Sequence, residues 1–377
     1  MNKLIFHIDD SRNLRGGERQ VLYLASELEK HDCKNVIVCR PNSPLEKEAL
    51  KLGIETDHIP FHFEWDLRAA YLLSRKVKKA ARKFDIQAPP ILHSHTGHAA
   101  AAVWLTRRFV KAVTIAHRRV DFKVPNKPLS RRKYRSADLI IALSKAIEQI
   151  LIDSGIDGAK IRVIPSAVDL AAFSGKPDRA FREHLLRDLN IPADAILIGS
   201  LMALVPHKDP LSLVAAAGQV IQADKRCHFI VGGEGPLLED IQALTAKLGI
   251  TSHFHLLGYR EDNVNLLRAM DIFVLASREE GLGSALIEAM ACGLPVVGTD
   301  AGGIPELIEN ERNGFVVPKQ NPAALGQAIL QLAGDAGLRE AFARRSLELS
   351  RKYSSLKMAA KTLLVYEEAS RAAQKHF

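Results

Sequence analysis

Short β-branched runs alternate with longer amphipathic stretches through most of the chain, and this alternation, met twice over, constrains the fold more than any other feature. KLIFHI at the start precedes a helical pattern from about 17 to 29. NVIVC, a basic helical pattern near 67 to 84, PPILHS, VTIAH and DLIIALS then follow in turn. Runs apolar on both faces, separated by helix-length spacers, are what a parallel sheet covered by helices on both sides requires. After residue 190 the pattern restarts: AILIGSLMA, a helix at 210–222, CHFIVGG, a helix at 236–248, HFHLLG, DIFVLAS and LPVVGTD. The expectation is an α/β chain with two doubly wound parallel-sheet domains facing each other across a cleft, and 377 residues suit two cores. The turn-rich segment 165–186 puts the boundary near 186–192, which gives domains 1–188 and 189–355 and a last helix, 356–377, that packs back toward the first domain.

Several function classes fall away at this point. The longest apolar runs, AAAAVWL and LIIAL, fall far short of the ~20 residues that cross a bilayer. MNKLIFHIDDSR turns acidic too early for a secretion signal, so a cytoplasmic protein is expected. Cys33, Cys39, Cys227 and Cys292 stand singly, without the paired spacing of a zinc site or a disulfide framework. His93, His95 and His98 in ILHSHTGHAA have ligand chemistry but no acidic or cysteine companion, and no metal site is expected. Charge is uneven: residues 1–190 carry 34 Lys and Arg against 22 Asp and Glu, and the positive excess is concentrated in 101–150. Such a field attracts something anionic. Nucleic acid is disfavoured, because no aromatic-rich basic motif accompanies the charge.

The chemistry-bearing segment is SREEGLGSALIEAMACGLPVV, 277–297. DIFVLAS is a buried strand, so Arg278, Glu279, Glu280, Gly281, Leu282 and Gly283 form the turn at its carboxyl end, with Ser284 placed as the cap of the next helix. The glycines let backbone approach a ligand, and the first amides of a helix suit a phosphate. Glu288 stands one turn into that helix. Two carboxylates so spaced can accept hydrogen bonds from two sets of sugar hydroxyls, although the spacing considered alone favours solvated loop acids at Glu279 and Glu280 and a helix-surface residue at Glu288.

These residues do not stand alone. EGLGSALIEAMACGLPVV, followed by TDAGGIPELI and NGFVVP and preceded by VGGEGPLLEDI and LLGYREDNVNLLRAMDIF, closely resembles the retaining nucleotide-sugar glycosyltransferases of the GT-B fold, in particular the GT4 group. The resemblance is dense over about 190–320 and thinner before. It implies two Rossmann-like domains and transfer of a sugar from a nucleotide-diphosphate sugar, with no cofactor and no metal. It implies that Glu280 contacts the donor sugar, Glu288 binds the ribose, and Gly281, Leu282, Gly283 and Ser284 present amides to the distal phosphate. Gly258, Tyr259 and Arg260 match the stretch along the nucleobase, and Lys208 in ALVPHKD matches the lysine that neutralises the diphosphate. Gly16 and Gly17 in LRGGERQ match the glycine pair of the first loop, and His117 in TIAHRRVDF matches an active-site histidine. One departure is plain: Ala203 stands where an arginine is usual, five positions before Lys208. Arg15, Arg19, Arg118 and Arg119 are the alternatives for the missing cation.

The expected activity is transfer to a hydroxyl acceptor. The basic stretch 107–135, with RRKYR, points to an envelope glycan, lipid-linked or lipopolysaccharide acceptor and to peripheral contact with the anionic inner face of a membrane. A nucleotide-sugar epimerase of the same architecture and a non-catalytic sugar-nucleotide-binding protein are the other readings open to the sequence. Base, sugar and acceptor are not encoded in any motif identified above.

Overall fold

A computed structural model of the chain describes residues 3–14, 16–173, 175 and 178–374. Every strand pairing in it is parallel, and the strands fall into two sheets. In the first, β1 (Lys3–Ile8), α1 (Gly16–Glu29), β2 (Cys33–Cys39), α2 (Pro44–Lys51), β3 (Glu55–His58), α3 (Leu67–Lys83), β4 (Ile91–Ser94), α4 (Gly97–Thr106), β5 (Val113–Arg118), α5 (Pro128–Arg135), β6 (Leu139–Ala142), α6 (Lys145–Asp153) and β7 (Ile161–Val163) succeed one another. Their sheet runs β3-β2-β1-β4-β5-β6-β7.

The second sheet follows α7 (Leu170–Phe173) and α8 (Arg179–Asp188). It is built from β8 (Ile196–Leu201), α9 (Pro210–Ala223), β9 (Cys227–Gly232), α10 (Leu238–Lys247), β10 (Phe254–Leu256), α11 (Asn263–Ala269), β11 (Ile272–Leu275), α12 (Ser284–Ala291), β12 (Val296–Thr299), β13 (Gly314–Val317), α13 (Pro322–Gly334) and α14 (Ala336–Ser350). Its order is β10-β9-β8-β11-β12-β13. Two compact units result: Met1–Ala167 with Ser355–Phe377, and Val168–Ser354.

Strand periodicity explains how the first unit covers both faces of its sheet. Ile5 packs with Leu24 and Leu28 of α1 and with Met358, Val365 and Tyr366 of the final helix α15 (Ser355–Gln374). Its neighbours Leu4, Phe6 and Ile8 point the other way, onto Leu73 and Val77 of α3 and Val103 of α4. Helix starts are fixed by side-chain oxygens: Asp66 accepts from Ala69 N at 2.9 Å and Thr96 from Ala99 N at 3.1 Å.

The first unit ends at Ala167, earlier than the boundary near 188 that turn-rich composition indicates. The reason is in α7 and α8, which pack within the second unit on α12 and α11. Arg182 of α8 donates to Asp271 at 2.9 Å and to the Ala195 carbonyl at 3.1 Å. No local property of 168–188 announces those partners.

Tyr366 is fully buried and its hydroxyl meets His93 Nδ1 at 2.7 Å, which ties α15 to β4. Removing that hydroxyl leaves a ring nitrogen buried without a partner and no cavity beyond one oxygen. Tyr366→Phe is therefore expected to destabilise the first unit by about 1–3 kcal/mol. Urea unfolding followed by amide exchange should show the loss in first-unit amides and none in those of β8–β13; an unchanged midpoint would remove this bond from the account.

Candidate active site

The residues of interest in the second unit lie at the carboxyl ends of its parallel strands, where backbone amides have no further strand to pair with. Chain order there runs outward from β8 through β9 to β10 on one side, then returns to β11 on the other. Between β8 and β11 the direction of winding reverses, and an open α/β sheet has its natural crevice at such a point. Lys208 follows β8 and Glu280 follows β11, and their side chains meet there as an ion pair, Lys208 Nζ donating to Glu280 Oε2.

Backbone lacing sets this contact. His207 O accepts from both Arg278 N (2.9 Å) and Glu279 N (3.2 Å), and the Arg278 guanidinium donates to Pro206 O at 2.8 and 3.1 Å. Ser277, buried just past β11, donates to Glu280 Oε2 at 3.3 Å, and Thr299 Oγ1 holds the Ser277 carbonyl at 2.6 Å. From the other side Gly303 N donates to Glu280 O at 3.1 Å. Gly302 makes that approach possible. Its φ is +49°, and a Cβ there would stand 1.7 Å from the Glu280 carbonyl oxygen.

The turn into α12 differs from expectation in one respect. Gly283, with φ at 94°, takes the cap position, and Ser284 is the first helical residue without a capping bond. A left-handed cap suits glycine, and Ser284, partly exposed, begins the helix instead. Gly281, Leu282 and Gly283 precede it, Leu282 buried and Gly281 partly exposed. Glu288, partly buried, lies one turn after Ser284 on the same helical face.

Beyond β9 and β10, Gly258 has φ at 66° and its carbonyl accepts from Gly233 N at 2.7 Å. Tyr259 N donates to Glu234 Oε1 at 3.3 Å while the residue as a whole is 61% exposed, so the bond that fixes it here is made by main chain. Arg260 forms a two-pronged bond with Asp262 at 2.8 and 2.6 Å, which raises the guanidinium pKa and lowers that of the carboxyl. Arg260 is committed to that partner.

In the first unit, Gly16 and Gly17 open α1, and Arg119 Nη1 donates to the Gly17 carbonyl. Arg119 Nη2 reaches His95 Nδ1 at 3.0 Å and His117 Nδ1 at 3.4 Å. His95 Nε2 meets His7 Nδ1 at 3.1 Å, and His7 Nε2 meets Asn35 Oδ1 at 3.1 Å. The proton positions follow from donors that can only donate. Arg119 makes His95 Nδ1 and His117 Nδ1 acceptors, and the Asn35 oxygen makes His7 Nε2 a donor, so His95 Nε2 carries hydrogen toward His7. His117 is left with a buried Nε2 that has no hydrogen-bond partner among the described residues.

The trio able to converge on one ion is His7, His93 and His95, with nitrogens within 4.8 Å, rather than His93, His95 and His98. His98 points away to Asp10 at 3.0 Å. His7 joins because β1 and β4 are neighbours with His7 opposite His93, a pairing invisible in the spacing of ILHSH. A cation among them would face the Arg119 guanidinium across His95.

Of the proposed substitutes for the cation absent at Ala203, Arg118 is buried against Tyr134 Oη at 3.1 Å and the Phe122 carbonyl, and Arg119 holds Gly17. Arg19 is partly exposed on α1, and Arg15 lies outside the described residues. Sequence reasoning passed over Ser277, Thr299, Gly302, Asn35 and Tyr366. Ser277, next to the acidic turn, and Thr299 and Gly302, within TDAGGIPELI, carried a signal; Asn35 and Tyr366 carried none.

A pair of parallel α/β sheets, one with a cation and a carboxylate at its winding reversal beside a glycine turn and a helix N-terminus, defines the GT-B class of glycosyltransferase. Comparison with known proteins agrees. The pattern described as "Glycosyl transferases group 1" matches residues 181–348, and "Glycosyltransferase Family 4" matches 14–172. The D-inositol 3-phosphate glycosyltransferase of Corynebacterium jeikeium (strain K411) is 31% identical over 303 residues, 74% of this chain and 72% of that protein. The UDP-Gal:alpha-D-GlcNAc-diphosphoundecaprenol alpha-1,3-galactosyltransferase of Escherichia coli is 25% identical over 284 residues, 72% and 71% of the two chains. Anabaena Alr3699/HepE, solved in complex with UDP and glucose, superposes with a TM-score of 0.83 at 20% identity, over 97% of this chain and all of that one. The chain belongs to the family 4 (group 1) glycosyltransferases and is a glycosyltransferase enzyme.

Burial holds the histidine cluster neutral. His7 is lowered from 6.5 to about 4, chiefly by loss of solvent, and His93, His95 and His117 are pushed well below their usual range by burial and then by neighbouring positive groups. Such groups bind fewer protons folded than unfolded, so stability falls as pH drops below 6.5 and the unfolded chain takes up protons. Asp9, raised to about 6 by burial, acts in the opposite sense but is one group against four. The unfolding free energy of the first unit should decline between pH 6.5 and 4, with about 3 kcal/mol of the fall from His7 alone. Urea midpoints measured across that range, in wild type and in His7→Gln, check this; a slope that His7→Gln leaves untouched would assign the titration elsewhere.

Proposed function

We propose that this enzyme transfers a hexosyl unit from a nucleotide-diphosphate sugar to a hydroxyl of an envelope or lipid-linked glycan, with retention at the anomeric carbon and without a metal ion. The ion pair of Lys208 with Glu280 at the winding reversal of the second sheet is the observation that carries this reading. In the absence of donor each group neutralises the other. With donor bound, the lysine turns to the diphosphate and the carboxylate accepts from sugar hydroxyls, so both charges remain compensated throughout.

The remaining assignments follow the strand ends. Amides of Gly281, Leu282, Gly283 and Ser284 hold the distal phosphate at the N-terminus of α12, and Glu288 takes the ribose hydroxyls. Gly258, Tyr259 and Arg260 flank the base through main chain. Gly16 and Gly17 serve the phosphates and acceptor, and the Nε2 hydrogen of His117 bonds to the transferred sugar or to the acceptor. In the reaction the anomeric carbon–phosphate oxygen bond breaks as the acceptor oxygen bonds to the same face, and the acceptor proton passes to the departing phosphate. Lys208 and the loop amides stabilise the charge growing on that phosphate, the part of the reaction where preorganised donors count most.

Two relatives support the substrate classes. Anabaena Alr3699/HepE was captured with UDP and glucose, and the Escherichia coli relative is named for a UDP-galactose donor and a diphosphoundecaprenol-linked acceptor. The basic first unit suits peripheral contact with an anionic membrane, and among the described residues no helix is long and apolar enough to cross one.

Thermal shifts with UDP-, GDP- and ADP-sugars should identify the donor, and NMR of the product made in EDTA should show retained configuration. Lys208→Ala and Glu280→Ala should each lower kcat on the order of a hundredfold, as removal of a transition-state donor does. Glu288→Ala should act mainly through the donor KM. Unimpaired turnover in both of the first two variants would overturn the site.

A further inference from the structure

Both tryptophans of the chain lie in one place in the first unit. Trp65, just before α3, meets Trp104 in the last turn of α4 edge to face, with centroids 5.6 Å apart. Over the Trp104 ring stand two guanidinium groups, Arg108 at 5.0 Å and Arg132 of α5 at 5.7 Å. Both arginines are exposed, and neither guanidinium has a hydrogen-bond or ion-pair partner among the described residues. Arg107 beside them is already engaged by the Ser136 carbonyl and by Asp138 at 3.5 Å. Trp104, Arg107, Arg108, Arg132 and Ser136 line a cavity of about 290 Å³.

Two like charges over one indole repel each other, and the negative ring face compensates only part of that cost. An anion seated between them supplies the rest, and phosphate matches the planar donors of arginine best. The cavity has the size for a headgroup rather than for a whole sugar nucleotide. Apolar side chains on the segments that adjoin it say which phosphate. Tyr71 packs edge-on against Phe109 at 5.7 Å, and Phe63, Leu67, Tyr71 and Phe109 are 63%, 57%, 49% and 36% exposed. Leu67 and Tyr71 stand one turn apart on α3, and Phe63 is two residues from Trp65. A soluble phosphate has no use for such exposed apolar neighbours. Tryptophan, tyrosine and arginine grouped around exposed leucine and phenylalanine are the composition of a bilayer interface.

We propose that the cavity formed by Trp104, Arg108 and Arg132 binds the phosphate of an anionic phospholipid headgroup while Phe63, Leu67, Tyr71 and Phe109 enter the interfacial layer. This rests on the membrane contact in the function proposed above and is independent of the donor site.

Because the two tryptophans are the only ones, intrinsic emission reports on this patch alone. The intact chain is titrated with phosphatidylcholine vesicles, with vesicles containing phosphatidylglycerol, and with inorganic phosphate, following emission and co-sedimentation. A blue shift and sedimentation are expected with phosphatidylglycerol only. R108A/R132A should bind those vesicles at least about tenfold more weakly, and K47A/K51A, which removes equal charge from exposed positions on α2, less than about threefold. Equal losses in the two variants would reduce the effect to net charge and overturn the cavity while leaving membrane contact standing. No binding by the wild type would overturn both. The same emission change from inorganic phosphate alone would replace the lipid with a soluble ligand. An unchanged donor-induced thermal shift in R108A/R132A confirms that the variant is folded.

Discussion

The second unit depends on the fact that two parallel strands distant in sequence, β8 and β11, are hydrogen-bonded neighbours. Their adjacency brings the loops after them side by side, and one carbonyl, His207 O, then fastens both by taking two amides of the acidic turn. Lys208 and Glu280 meet because of that fastening, 72 residues apart in the chain. A salt bridge at partial exposure contributes little to stability. Its consequence is positional: the cation and the carboxylate are held side by side at the winding reversal, as the proposed donor site requires. Gly302 and Ser277 complete the frame, one by letting backbone come within contact of the Glu280 carbonyl, the other by bonding the carboxylate itself.

The first unit solves an opposite problem. Its carboxyl-end residues include four buried histidines around one guanidinium, and desolvation keeps the imidazoles neutral, so that of these five groups Arg119 alone is charged; burial lowers even its pKa to about 10. Neutral imidazoles can then act as a directional chain, each with one donor and one acceptor, from Asn35 through His7 and His95 to Arg119 and the Gly17 carbonyl. The glycine pair at the start of α1 is thereby tied to the interior of the sheet rather than left to its own turn propensity.

Much of this was legible in the sequence, and the division between what was and what was not has a physical basis. Strand and helix positions follow from local periodicity, so the helix expected from about 17 to 29 is found at Gly16–Glu29 and that expected at 210–222 at Pro210–Ala223. The acidic turn was visible because Glu280, Gly281, Gly283 and Glu288 lie within a single strand–turn–helix unit. Long-range pairing was not: His7 joins His93 through strand register, Tyr366 reaches His93 from the far end of the chain, and α8 is claimed by Asp271. Ser284 was misplaced by one residue because a side-chain cap and a left-handed glycine cap compete for the same position, and at Gly283 the backbone conformation prevails.

Charge distribution follows from the same logic. A pyrophosphate could be attracted by a strongly positive domain, yet residues 191–377 carry 18 basic against 21 acidic groups. In the proposed function the second unit would therefore rely on directional groups: one lysine, the first amides of α12 and the carboxylates Glu280 and Glu288. In that reading the site discriminates by geometry, since a sugar nucleotide offers a diphosphate to Lys208 and hydroxyls to Glu280, whereas a simple phosphate offers only the first. The excess positive charge is concentrated in the first unit, on α3 and between residues 101 and 150, where a delocalised anionic surface would be met by field as well as by the fit of one headgroup.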